Sequence, residues 1–369
     1  MACHCQSNTR LQHQEPGFAL TSLYLYLVAH CNLSCAHCWI SPAFSSYHQD
    51  GIPFDALRRT ISEAKALGLQ NVKLTGGEPL LYRDIGKLLG FLGREKVDIL
   101  IETNGTLIDR EMVDRFADCH VEQISVSLDG ATEEVHDEIR GVEGSYRRTL
   151  KGLQLLSEYG LSFQIIMTLQ RKNRHEIEGV MRLSRDVGAN SLKINHLLPC
   201  GRGRAAFKHR MNLEFGELIQ LYQMVEKNRP EPDDLDIVFD LPLAFRSIKD
   251  IKTRGICECH ILNILGILAN GDFSICGVGQ TVDELRMGNI CRDPVSEVWK
   301  NNATLRKLRM SLPWKLKGIC GECIFKFQCL GACRANAYTL TQDLYAPYFL
   351  CEKFDASGLF PASRNTRES

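Results

Sequence analysis

Between residues 22 and about 228 the chain alternates short apolar runs with longer stretches of helical period, and this rhythm limits the fold more than any other feature. Strands are expected over 23–28, 71–74, 97–102, 122–128, 161–168 and 191–197. Helices are expected over 55–67, 83–92, 109–116, 146–159, 174–187 and 213–227. Strands that each lead into a helix imply an α/β fold with a parallel sheet and helices on its outer side. In such folds chemistry gathers at the carboxyl ends of the strands. The breaks here are rich in reactive residues.

The first of them is the most specific. After Leu23-Tyr-Leu-Tyr-Leu-Val-Ala29 come Cys31, Cys35 and Cys38 at C-x3-C-x2-C spacing. Three thiolates on one short loop can hold three irons of a four-iron cube and leave the fourth iron open to a substrate or cosubstrate. A zinc loop is the competing reading, but zinc usually takes four ligands at C-x2-C spacing. Sixteen cysteines in all point to metal rather than disulfides. Forty-four basic residues balance 44 acidic ones, so charge argues neither for nucleic acid nor for an anionic membrane as partner. No run approaches a membrane span and the N-terminus lacks the order of a signal peptide, which makes a cytoplasmic location the expectation.

Cys31, Cys35 and Cys38, followed by Gly76-Gly-Glu-Pro79 after the second strand, resemble the radical S-adenosylmethionine (SAM) superfamily. The resemblance implies a partial (β/α)6 barrel and a [4Fe-4S] cluster whose open iron binds SAM and cleaves it to a 5′-deoxyadenosyl radical. Gly76, Gly77, Glu78 and Pro79 would seat the SAM amino group. Glu102 and Asn104 in Glu102-Thr-Asn-Gly105, and Ser127 and Asp129 in Ser127-Leu-Asp-Gly130, end the third and fourth strands and suit contacts to a ribose or carboxylate. Ser127 and Arg140 resemble residues that contact the SAM carboxylate. Leu197 and the loop Leu198-Pro-Cys-Gly-Arg-Gly203 fall where relatives approach the cofactor. Cys200 could give hydrogen to a substrate radical, as in peptide epimerases, or be a small buried residue in a tight loop.

Past a bridging region at 229–256, Ile261–Leu268 and Asp272–Ile275 read as strands joined by an Asn270-Gly271 turn. Cys259, Cys276, Cys320, Cys323, Cys329, Cys333 and Cys351 resemble the seven-cysteine SPASM domain, expected over 257–352, which carries two auxiliary iron–sulfur clusters. The resemblance assigns Cys320, Cys323, Cys329 and Cys351 to one cluster. It assigns Cys259, Cys276 and Cys333 to the other, with Cys257 the candidate fourth ligand. A helix is expected over 294–309, and residues 1–20 and 353–369 read as tails.

The resemblance includes sulfatase-maturating, quinone-cofactor and thioether-forming peptide maturases and haem-pathway enzymes. Gly277 stands where the sulfatase-maturating group has an acidic base. The expected activity is therefore hydrogen abstraction from a ribosomally made precursor peptide, installing a cross-link or related modification. Epimerisation, sulfatase maturation with another base, or a tetrapyrrole substrate is the alternative, and a non-catalytic electron carrier or zinc scaffold the alternative of another class. Implied partners are a flavodoxin or ferredoxin and, since about twenty residues precede the first strand, a separate leader-peptide-binding protein.

Overall fold

The computed structural model describes residues 18–48, 51–229, 235–255 and 259–366. Cys257 lies outside the described residues. Along the first strand Leu23 and Leu25 are fully buried under the helices, and the same alternation recurs in Val72 and Leu74, Ile99 and Ile101, Ile165 and Met167, and Leu192 and Ile194. Each such side chain contributes about 1.5–3 kcal/mol through removal from water. A period of two fixes register, because a slip by one residue would turn the whole set to the other face.

Among the described residues ten strands form one sheet: β1 (Ser22–Tyr26), β2 (Asn71–Thr75), β3 (Asp98–Thr103), β4 (Val121–Ser127), β5 (Phe163–Leu169), β6 (Ser191–His196), β7 (Asp236–Phe239), β8 (Ile264–Ile267), β9 (Asp272–Ser274) and β10 (Arg286–Asn289). Their order is β10-β9-β8-β1-β2-β3-β4-β5-β6-β7. From β8 through β1 to β7 all neighbours are parallel. Helices α1 (Phe54–Lys65), α2 (Ile85–Glu95), α3 (Arg110–Asp118), α4 (Glu133–Arg140), α5 (Ser145–Glu158), α6 (Ile177–Asp186), α7 (Gly203–Lys208) and α8 (Phe215–Lys227) occupy the connections. The six expected strands and six expected helices are all present, with ends displaced by three residues or fewer.

Besides α4 and α7, which the sequence reading does not expect, four features go beyond it. The bridging region contributes β7 and the helix Ile248–Arg254, so the barrel sheet runs one strand further. The expected hairpin is β8 and β9, with Gly271 at φ +86°, but β8 also pairs in parallel with β1, so the cysteine-rich region continues the barrel's own sheet. The single helix expected over 294–309 is two, Val295–Asn301 and Ala303–Ser311. Asn302 turns extended and its side chain caps the amides of Thr304 and Leu305. Finally, the stretch expected as a C-terminal tail is packed: Phe354 is buried against Phe215 and Phe245, and Asn365 pairs with Cys323. At the other end Phe18 accepts the Trp299 indole N–H at 2.7 Å.

Candidate functional site: a three-cysteine loop and a second cysteine-lined cavity

The Cys31–Cys38 loop lies at the carboxyl end of β1 and is held from three sides. On one side, His30–Cys31 pairs with Ala43–Phe44. On the second, the C-terminus of α4 presents carbonyls that the loop satisfies: Ser34 N donates to Arg140 O at 3.0 Å and Ala36 N to Ile139 O at 3.3 Å. On the third, Arg202 donates from its backbone to Cys38 O, from Nε to Cys35 O at 2.8 Å and from Nη1 to Pro42 O at 3.1 Å. The expected loop Leu198–Gly203 is thus a clamp. Gly201 is required in it, since a Cβ there would lie 2.3 Å from Trp39 O.

Gly77 donates to Val28 O and Glu78 to His30 O, which lays the Gly-Gly-Glu-Pro segment along the residues that precede Cys31. Gly76 has φ +127°, and a Cβ on Gly77 would sit 1.7 Å from His30 O, so side chains are excluded where backbone meets backbone. Glu78 is buried and accepts from the Thr103 hydroxyl (2.6 Å), Leu80 N (3.2 Å) and Asn104 N (2.9 Å), while Pro79 starts a short 3-10 turn. Burial pushes its carboxyl up to about 7. Its role visible here is to brace the ends of β2 and β3 and to aim Asn104. The Asn104 amide donates to Asn32 Oδ1 at 2.8 Å and points at Cys31 Sγ at 3.8 Å.

Asp129 is fully buried. Its Oδ1 accepts from Thr168 N at 2.8 Å, and its Oδ2 lies 2.9 Å from Arg140 Nε and 3.5 Å from His37 Nε2. Burial works to raise the carboxyl, but the Arg140 guanidinium and the Thr168 amide outweigh it and hold the group below its usual range. His37, pushed down to about 4 by burial, is neutral at pH 7. The guanidinium also aims Nη1 at Cys35 Sγ, 3.7 Å away. Asp129 thus positions Arg140 beside the loop. Ser127 ends β4 and is half-buried, Leu197 is buried just beyond β6, and Glu102 pairs with Lys73 at 2.7 Å on the inner face of the sheet. That face carries further polar groups: Lys73 lies over the Tyr24 ring, and Gln164 donates to Ser191 at 2.9 Å. His37, Asn32 and Arg202 escaped the sequence reading. His37 and Asn32 lie within the cysteine loop and Arg202 in its glycine-rich clamp, but only the fold shows what they touch.

The donor set fits an iron–sulfur cluster with one open iron. Cys31, Cys35 and Cys38 are not in disulfides, and burial pushes the Cys31 thiol up to about 12 and that of Cys35 upward. Buried thiols of this kind lose their protons to a metal rather than to water. Leu33 N, at 3.4 Å from Cys31 Sγ, and the Asn104 and Arg140 donors supply the N–H groups that tune such sulfurs.

In the C-terminal region Cys320, Cys323, Cys329 and Cys351 line one pocket, with Phe325, Gly331 and Phe360. The Cys320 and Cys351 thiols lie close enough to shift each other's proton affinity. Tyr348 N donates to Cys320 Sγ at 3.3 Å and Phe325 N to Cys323 Sγ at 3.4 Å. Four sulfurs around one cavity suit a four-cysteine cluster. Apart from them, Cys276 feels the charges of Cys333 and Cys259, and the amide of Asn336 donates to Cys333 Sγ at 3.3 Å. Cys200 lies with this second group: it is 5% exposed, and its sulfur accepts from Asn336 Nδ2 at 3.3 Å.

Residues 25–184 match the family model described as the Radical SAM superfamily, and residues 257–324 match one described as an iron–sulfur cluster-binding domain, SPASM. The chain is a radical SAM enzyme with a SPASM domain. It carries a SAM-binding [4Fe-4S] cluster and auxiliary iron–sulfur clusters. It is 32% identical over 327 residues to an AdoMet-dependent heme synthase of Methanosarcina barkeri, covering 86% of this chain and 92% of that one. It is 29% identical to the mycofactocin maturase MftC of Mycobacterium tuberculosis, covering 86% and 79%. Its fold is similar to that of Streptococcus suis SuiB bound to S-adenosylmethionine, with a TM-score of 0.70 at 20% identity over 91% of this chain and 78% of that one. No helix among the described residues is long and apolar enough to cross a membrane.

Proposed function

We propose that this radical SAM enzyme oxidises a side chain of a tetrapyrrole by abstracting hydrogen from it. The observation that carries the substrate class is the likeness to the heme synthase, which extends over 92% of that protein. With SAM bound, the clusters supply reductive cleavage to the 5′-deoxyadenosyl radical and a sink for the electron that the product radical gives up.

The chain's own groups divide the remaining work. The bare backbone of Gly76 and Gly77 admits the SAM amino group beside the loop, and Arg140, held by Asp129, offers a cation to the SAM carboxylate. Ser127 is the nearby hydroxyl at the end of β4, and Glu78 keeps Asn104 aimed at Cys31. The polar inner face, with Tyr24, Lys73, Glu102 and Gln164, suits a substrate that carries carboxylates or amides.

A peptide substrate is the second reading, favoured by the likeness to the mycofactocin maturase. Within it, maturation of a sulfatase is disfavoured. A Cβ at Gly277 would lie 2.3 Å from the Tyr26 ring, so the acidic base of that group has no room here.

The experiment is 5′-deoxyadenosine formation by anaerobically reconstituted protein with SAM and a strong reductant. Stimulation by a carboxylate-bearing iron porphyrin, with loss of carboxylate mass from the porphyrin, supports the tetrapyrrole reading. Stimulation only by a peptide encoded beside the gene replaces it with the second reading. An iron-replete protein that forms no 5′-deoxyadenosine contradicts both.

A further inference from the structure

A four-iron cluster without an open site takes four thiolates, and among the described residues the cysteine-rich domain offers Cys259, Cys276 and Cys333 for the second auxiliary cluster, with Cys276 in electrostatic reach of the other two. The barrel brings a further sulfur to the same place. Asn336 touches both parties: its backbone N–H donates to Cys333 Sγ and its side-chain Nδ2 donates to Cys200 Sγ, each at 3.3 Å. Asn336 is 1% exposed and its Oδ1 has no hydrogen-bond partner, so a buried polar group is left unsatisfied beside these sulfurs. Cys276 and Cys333 both lie within electrostatic reach of Cys200.

Cys200 also shares the surroundings of the other ligand sulfurs. Cys31, Cys35, Cys320, Cys323 and Cys333 each receive an N–H donor, and so does Cys200. A neutral thiol is a weak acceptor, whereas metal-bound sulfur is a strong one, so donors aimed at sulfur mark ligands.

We propose that Cys200 is a ligand of the auxiliary cluster held by Cys259, Cys276 and Cys333, supplied by the barrel loop that clamps the SAM-cluster loop. Ligation forms one iron–sulfur bond and releases the thiol proton to solvent. The loop then ties the two metal centres together. Arg202, two residues on, donates to the carbonyls of Cys35 and Cys38 while Cys200 holds the auxiliary iron. This assignment replaces the hydrogen-donor role for Cys200, since a sulfur bound to iron has no hydrogen to give.

The test is an iron and sulfide count with electron paramagnetic resonance of anaerobically purified full-length protein. Variants are Cys200→Ala, Cys200→Ser and, for comparison, Cys257→Ala. Cys200→Ala is expected to lose about one to four of about twelve irons and to show a three-iron signal on oxidation, while Cys257→Ala keeps about twelve. Cys200→Ser, with oxygen in place of sulfur, is expected to shift the reduction potential of one cluster alone. It decides the matter if the alanine variant does not fold. Full iron and unchanged spectra in Cys200→Ala, or three unchanged potentials in Cys200→Ser, overturn the proposal. A wild-type protein lacking auxiliary irons overturns its premise instead, and is recognised before any variant is made.

Discussion

In the barrel, Cys31 and Cys35 face donors carried on distant side chains, Asn104 and Arg140, which are themselves braced by buried Glu78 and Asp129. In the C-terminal region Cys320, Cys323 and Cys333 receive theirs from backbone amides of Tyr348, Phe325 and Asn336. A backbone donor survives replacement of its side chain. A side-chain donor is one substitution from removal. The three-cysteine loop thus adds to the local amide of Leu33 two side-chain donors that can be altered singly, while Cys320, Cys323 and Cys333 depend on backbone amides.

The largest effect is expected at the loop itself. Cys35→Ala should abolish 5′-deoxyadenosine formation, checked by chromatography of reactions with SAM and dithionite, while the auxiliary irons stay. Next comes Arg140→Leu, which leaves the carboxylate of Asp129 buried without its cation. A loss of about 3–5 kcal/mol is expected in chemical denaturation, more than for Arg140→Lys. A loss of auxiliary rather than SAM-cluster iron in Arg140→Leu would break the comparison.

Gly277→Ala sharpens the account from the other side. Its Cβ would press on the Tyr26 ring at 2.3 Å, and overpacking of this kind costs about 1–3 kcal/mol, measured the same way. A further effect is one of pH. Because the Glu78 carboxyl is raised from its ordinary 4.5 to about 7 in the folded state, folding takes up a proton between those values. The stability it contributes is complete below pH 4.5 and lost as pH rises through 7. Apoprotein carrying Glu78→Gln should lack that slope, as read from denaturation midpoints between pH 4.5 and 8.

The cysteine loop, Gly76 and Gly77 and the strand-ending Glu102, Ser127 and Asp129 were legible because spacing and alternation are local. So was the C-terminal cysteine framework. What the residues do to one another was not. Asp129 reads as a polar strand end open to a ligand, but in the fold it is enclosed by Arg140, His37 and the amide of Thr168. The helix α4, whose C-terminus holds the loop, was missed, although Thr132 followed by Glu133 and Glu134 is a helix-start pattern. Phe354 and Phe360 were read as tail because aromatic residues without period carry no direction until Phe245 is placed beside them. Cys200 looked isolated because its neighbours, Cys333 and Asn336, lie 133 and 136 residues away in sequence, a separation no motif can bridge.

The central claim is that one open-iron cluster and the auxiliary clusters are held by separate sets of cysteines. Its most direct test is an iron and sulfide count on anaerobically purified protein before and after Cys31, Cys35 and Cys38 are changed together to Ala. The account predicts about twelve irons falling to about eight, with the remainder redox-active. Loss of all iron in the triple variant, or zinc in place of iron at the C-terminal cysteines, would contradict it.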